Sequence, residues 1–192
     1  MEDLLRTAAN RGHPEAVYFL SHGSKGEERD ALLLKAGELG SLDAQRDLGA
    51  YCATGDWTGP KDPVLAIQWY RRAAEGGQSD AQYNLGFMYV LGEGIQSDPD
   101  EGLRWLLLAA AQGEGAAMRL MADLYRHGYH GVPVDPLQAA ERDRRYHECE
   151  AAKTSLSLGL SGGILDKKTL KFDNGHRLIY EPGNLTRRTE EK

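Results

Sequence analysis

The sequence predicts an all-α chain, a solenoid of about four antiparallel helix pairs, followed by a small C-terminal β-hairpin. Three observations predict it. Small and apolar residues recur with a period of 36 to 37 residues, glycines punctuate that recurrence, and a hairpin signal, Asn174-Gly175 between two apolar runs, follows once the recurrence has ended. A period between about 20 and 50 residues marks stacked supersecondary units, each too small to bury its apolar face alone.

The first unit is degenerate. Ala9 and Gly12 precede Ala16 and Leu20, and Gly40 comes only 28 residues after Gly12, so its inter-helix loop is short. Gly23-Ser24-Lys25-Gly26 has the flavour of a phosphate loop, but it lacks the preceding strand and the full glycine spacing, and it reads as a turn between helices. In the second unit Ala44, Leu48, Gly49 and Gly55 mark a first helix, and in the third Ala81, Leu85, Gly86 and Gly92 repeat them 37 residues on. Asp62, Trp69, Ala73 and Gly77 of the second helix recur 36 residues on as Asp98, Trp105, Ala109 and Gly113. The fourth unit keeps Ala117, Met121, Ala122, Gly128, Asp135 and Ala139. It then loses the tryptophan and runs polar through Glu141-Arg142-Asp143-Arg144-Arg145, as expected of a terminal unit whose outer face meets solvent.

Packing explains these residue types. Gly86 costs about 1 kcal/mol inside a helix and makes sense only where another backbone approaches, while Trp69 and Trp105 supply large buried area. Gly92-Glu93-Gly94 closes a first helix with residues that tolerate positive φ, and Asp62-Pro63 and Asp98-Pro99 open second helices with a capping oxygen and a first-turn proline. Beyond residue 152 the pattern stops. Ser155 to Gly163 reads as a linker, and Thr169–Asp173 and His176–Tyr180 flank Asn174-Gly175 as a hairpin. A two-residue turn there puts Leu170, Phe172, Arg177 and Ile179 on one face, which needs cover, because a lone hairpin is marginal in water. Residues 1–152 are therefore expected as the repeat domain, 153–168 as a linker, and 169–192 as hairpin and tail.

Ala81-Gln82-Tyr83-Asn84-Leu85-Gly86, Tyr89, Gly92-Glu93-Gly94-Ile95, Asp98, Trp105 and Ala109-Ala110-Ala111-Gln112-Gly113 resemble the Sel-one-like repeat, a branch of the tetratricopeptide superfamily. The resemblance covers roughly residues 1 to 150 and implies a right-handed solenoid with a concave groove, in a family of adaptors for protein complexes. Some secreted members staple each repeat with a cysteine pair; Cys52 and Cys149 fall in different units here and form no such pair.

In related solenoids the first helix of each pair lines the groove. That register assigns a partner-binding groove to Tyr18, Arg46, Tyr83, Phe87, Arg119, Asp123 and Arg126, with Tyr83 and Phe87 as an aromatic ledge flanked by arginines, a composition enriched at binding hot spots. The competing arrangement packs Tyr83 and Phe87 between adjacent first helices.

The chain carries a net charge of -6, divided into about -9 over residues 1–152 and +3 over the rest. An acidic body repels a phosphate backbone, so the expected partner is another protein with a basic surface, not nucleic acid. Met1 to Arg6 is acidic before it is apolar, the reverse of a signal peptide, and no apolar run approaches the roughly 18 residues of a membrane span. With two cysteines, a cytoplasmic location is expected. The reading is non-enzymatic, with no cofactor and no metal. His127 and His130 make two ligands at most, His147 and Cys149 point to different helix faces, and Cys52 falls where the next unit has Tyr89, a packing position. The leading function is an adaptor or binding module, in its sharper form an immunity-type protein that neutralises a partner in a bacterium. The alternatives are a metal-dependent hydrolase at the His127/His130 loop and a structural protein that self-assembles through the hairpin.

Overall fold

The computed structural model describes residues 2–55, 60–157, 170–172 and 178–180. The chain divides into two compact units, Met1–Glu150 and Ala151–Lys192. Among the described residues nine α-helices form: α1 Glu2–Asn10, α2 Pro14–Gly23, α3 Gly26–Glu38, α4 Leu42–Thr54, α5 Pro63–Glu75, α6 Ser79–Leu91, α7 Pro99–Ala111, α8 Gly115–His127 and α9 Pro136–Ser157. Within the first unit α2 packs on α3, α4 on α5 and α6 on α7, and the pairs stack through α3 on α4, α5 on α6 and α7 on α8. With α8 and α9 these make the four expected pairs.

The first helix, α1, is extra. Its Ala8-Ala9 and Gly12 match Ala73-Ala74 and Gly77 of α5 and Ala109-Ala110 and Gly113 of α7, and the three glycines share positive φ (80°, 94° and 91°). It is thus a second-type helix standing before the first complete pair. Gly23-Ser24-Lys25-Gly26 is the tight link between α2 and α3, the turn that its spacing predicts.

Each later pair is closed the same way. Gly55, Gly92 and Gly128 end α4, α6 and α8 at φ 79°, 74° and 69°, a left-handed conformation that only glycine adopts without strain. Asp62 and Asp98 cap α5 and α7 by accepting the N–H groups of Leu65 and Glu101 at 2.9 and 3.0 Å, each followed by proline. The N–H groups of Asp62, Asp98 and Asp135 donate back to the carbonyls of Cys52, Tyr89 and Tyr125 at 2.8 to 3.0 Å, so every loop is tied to the helix it leaves.

The core runs through the recurring positions. Ala44, Leu48, Ala81, Leu85, Ala117 and Met121 of the first helices are fully buried, against Ala66, Ala73, Leu106 and Ala109 of the second. The close approach that Gly86 demands is present. A Cβ there would meet the Gly102 carbonyl oxygen at 2.8 Å and Leu106 Cγ at 2.9 Å. In the last pair Ala122 and Ala139 stand where α6 and α7 have Gly86 and Gly102.

Three expectations change. Arg142, read as part of a solvent-facing polar run, takes the tryptophan's place and is only 7% exposed. It donates from Nη2 to Gln138 Oε1 at 3.1 Å, and its Nε has no partner among the described residues. Its long apolar stem lets it fill a core position, and burial lowers its basicity, with Arg145 adding to the effect. Residues 153–157, expected to begin a linker, continue α9 as helical backbone. Farther on, strands Leu170–Phe172 and Leu178–Tyr180 pair antiparallel, with Phe172 opposite Leu178. That register is one residue off the two-residue turn's, which would set Phe172 opposite Arg177; the Asn174-Gly175 turn itself lies outside the described residues, as do Arg177 and most of the expected linker.

Candidate protein-binding face

The first helices of the pairs stand in a row. Tyr18 of α2 donates its hydroxyl to Asp47 Oδ2 of α4 at 2.8 Å, α4 borders α6, and Tyr83 of α6 packs with Leu120 of α8 against one apolar cluster. Each helix buries an alanine at the start of its core stripe: Ala16, Ala44, Ala81 and Ala117. At about 100° per residue, side chains two and six places further on point away from that stripe. These are Tyr18 and His22, Arg46 and Ala50, Tyr83 and Phe87, and Arg119 and Asp123.

The seven expected residues divide into two groups. Tyr83 and Phe87 are half-buried and stack on each other, with ring centroids 6.3 Å apart and planes 27° from parallel. Tyr83 also packs against the apolar cluster of Val90, Leu106 and Met121. Arg119 is exposed, lies over the Tyr146 ring at 5.7 Å, and has no carboxylate partner among the described residues. Asp123 is exposed beside it in the helix. Burial raises the Tyr83 pKa, as does the Glu114 carboxylate, while Arg119 pulls it down.

The remaining three are committed internally. Tyr18 is buried, a correction to its expected exposure. Its phenol is pushed well above the usual range, first by burial and then by donating to Asp47. It fastens α2 to α4. Arg46 pairs with Asp47 at 2.5 Å, and Arg126 pairs with Asp123 and with Asp143 of α9, both at 2.5 Å. Arg126 is therefore a strut across the last pair. What stays available at the centre is an aromatic pair beside a guanidinium with no carboxylate partner among the described residues, a surface that suits an apolar anchor next to a hydrogen-bond acceptor.

Sequence reasoning missed Phe19, which is 62% exposed on α2. Its register was legible: it matches Asp47, Asn84 and Leu120, so a large aromatic there is the exception. It also missed Gln112, whose Nε2 donates to Gln82 Oε1 and to the Gly77 carbonyl, tying the end of α7 to α6.

No three His, Cys, Asp or Glu side chains are grouped to hold a metal among the described residues. His127 Nδ1 lies 3.1 Å from the Asp123 carbonyl, and its ring stacks on Tyr129 at 4.9 Å. His130 sits on the exposed 3-10 turn Tyr129–Gly131. Cys52 is buried, which raises its thiol pKa, and Cys149 lies 3.5 Å from the Gly113 carbonyl. No helix among the described residues is long and apolar enough to cross a membrane.

Comparison with known proteins adds three findings. The family model described as Sel1 repeat matches residues 42–78, 79–114 and 115–141, just over half the chain. Protein sel-1 homolog 2 of Homo sapiens is 38% identical over 164 residues, covering 85% of this chain and 22% of that one. The chain spans about a third or less of the length of curated relatives that it matches. Among solved structures, c5321, a protective antigen of uropathogenic Escherichia coli with an SLR fold, superposes with a TM-score of 0.69 at 30% identity, covering 83% of this chain and 37% of its own. The immunity protein PA5088 of Pseudomonas aeruginosa superposes with a TM-score of 0.59 at 22% identity, covering 87% and 67%. At that identity the likeness is one of fold.

Proposed function

The chain belongs to the Sel1 repeat family, and on that premise we propose that it is a non-catalytic adaptor whose first-helix face grips a segment or domain of another protein. One observation carries the reading: the Tyr83–Phe87 pair, stacked and half-open, next to Arg119 with no carboxylate partner among the described residues. Arginine and aromatic side chains grouped near the centre of a surface carry a large share of binding energy when a partner excludes water from them. Tyr18 ties α2 to α4 and Arg126 ties α8 to α9, Arg46 pairs with Asp47 within α4, and Asp123 lies one turn from Arg119 on α8. The acidic body favours a partner that is basic around its contact surface and disfavours nucleic acid. A cytoplasmic location belongs to the same reading.

The test is capture from a native lysate with the tagged full chain, followed by affinity measurement with the partner recovered. Phe87→Ala and Arg119→Ala each weaken binding at least tenfold, corresponding to the 1.4 kcal/mol or more expected of a hot spot. A partner that binds both variants as tightly as the parent chain places its contact elsewhere. Capture of no specific protein removes the adaptor reading.

The finer version is neutralisation, in which the adaptor occupies and silences its partner as an immunity protein does. The small acidic body and the fold shared with PA5088 are compatible with it. Co-expression with the products of adjacent genes tests it, because a neutraliser restores growth in cells that one of those products poisons.

A further inference from the structure

The row of first helices carries charge in an order of its own. At about 100° per residue, the place before each buried alanine falls within about 60° of the places two and six beyond it, so all three look out of the same side of the row. That place holds Glu15, Asp43 and Asp80 in α2, α4 and α6, all exposed, and Ala116 in α8. No lysine or arginine among the described residues pairs with any of the three carboxylates; Asp80 accepts the Gln78 side-chain amide at 3.3 Å. At α8 the sign reverses. Arg119 is exposed with no carboxylate partner among the described residues, while Asp123 beside it is already paired with Arg126. The face is thus anionic from α2 to α6 and offers a cation at α8, with the Tyr83–Phe87 pair next to that cation.

Asn84 adds a demand on the backbone that crosses there. It stands where α4 has Asp47, which accepts the Tyr18 hydroxyl, but Asn84 is half-buried and its amide has no hydrogen-bond partner among the described residues. A side-chain amide donates and accepts at once, and so matches a peptide group whose own N–H and C=O are free. A helix keeps those groups for itself, whereas an extended segment leaves them open. Spacing agrees with an extended segment. Neighbouring helices in contact lie about 8 to 10 Å apart, and one turn of a polyproline-type segment, three residues, advances about 9 Å. Successive first helices therefore meet every third side chain of such a segment, all from one side.

Resting on the adaptor reading of this face, we propose that it takes an extended segment of a partner protein with a fixed charge order: basic, basic, apolar and acidic side chains at every third place, meeting α2, α4, α6 and α8 in turn. The apolar side chain covers the Tyr83–Phe87 pair and the acidic one reaches Arg119. The two basic side chains reach Glu15 and Asp43, and Asn84 holds the backbone beside the apolar anchor. Charges this exposed add little affinity each; they act by fixing register and by rejecting a wrong order. A second copy does not supply such a segment, because its described residues offer helices and short links and no extended stretch of that length.

The probe is a fluorescein-labelled, amidated peptide, Lys-Pro-Pro-Lys-Pro-Pro-Phe-Pro-Pro-Glu, which its prolines hold extended. The full chain is titrated into it at low salt and anisotropy is followed. The expected result is saturable binding, weakened about tenfold for Glu-Pro-Pro-Lys-Pro-Pro-Phe-Pro-Pro-Lys, which has the same composition but sets like charges against Glu15 and Arg119. Arg119→Glu weakens binding of the first peptide about fivefold and is rescued when the peptide's glutamate is exchanged for lysine. Asn84→Leu, the residue type that α8 carries at Leu120, weakens it about fivefold with circular dichroism unchanged. Absence of saturable binding, or failure of the charge exchange to rescue, overturns the proposal. So does a helical peptide that carries the same four side chains seven places apart and binds as tightly. Equal binding of the two proline-rich peptides, while Phe87→Ala still weakens the captured partner tenfold, removes the charge order and leaves the adaptor reading standing.

Discussion

At the scale of single residues, two equivalent buried glutamines show how one neighbour decides what a polar group costs. Gln45 Nε2 donates to the Gly37 carbonyl at 2.9 Å and Gln82 Nε2 to the Ala74 carbonyl at 3.1 Å, the same bond one unit apart. Gln82 Oε1 is satisfied by Gln112, but Gln45 Oε1 is buried without a partner among the described residues, because Gly76 stands where the next unit has Gln112. The matching residue of α8 is Met118. Gln82→Met should therefore cost about 1 to 2 kcal/mol and Gln45→Met nearly nothing, since the second change also removes an unpaired buried acceptor. Urea unfolding of both variants measures the difference, and equal costs would refute it. A second prediction concerns alkali. Burial pushes the Tyr70 phenol up to about 12, above its unfolded value near 10. A group raised on folding adds stability that is intact below the unfolded pKa and disappears as pH rises through the folded one. Tyr70→Phe should thus be less sensitive than the parent chain between about pH 10 and 12, followed by circular dichroism.

At the scale of helices, close approach is the controlling quantity. Gly86→Ala forces a methyl group into backbone of α7, and overpacking of this kind costs about 1 to 3 kcal/mol. Gly23→Ala, at the end of α2 with open space around it, serves as the control and should leave the melting temperature near or above that of the parent. This scale was also the most legible in the sequence. Gly86, Asp62-Pro63 and Gly92 each have one conformational or steric reason to occur, and that reason acts through a close neighbour or their own backbone. The candidate face was legible only in part. Whether Tyr18 lies open or reaches Asp47, and whether Arg126 points outward or to Asp143, depends on a helix 17 to 29 residues away in sequence, and periodicity does not encode it. Arg142 misled for a related reason. Its charge argues for solvent, while its position in the repeat and its long stem argue for the core, and in this pair the position prevails.

At the scale of the whole stack, stability should be graded along the chain, because units that contact only their neighbours open from the ends. The backbones of α6 and α7 meet closely at Gly86 and Gly102, and α9 meets α8 through the Arg126–Asp143 ion pair and through Tyr146 against Gly115. Native-state hydrogen exchange should find the slowest amides in α4 to α7 and faster ones in α1 and α9; uniform protection across all helices would contradict the gradation. The loop ties at Asp62, Asp98 and Asp135 have a consequence for inheritance. Since each loop is anchored within its own pair, residues 79–114 form a cassette with compatible junctions on both sides. Its duplication would set a second Tyr83 and Phe87 beside the first while reusing contacts already present, whereas an insertion of a few residues would break a tie. Such a surface lengthens in whole steps of one cassette, and the reach of the protein toward a larger partner is quantised by the same loops that close its helices.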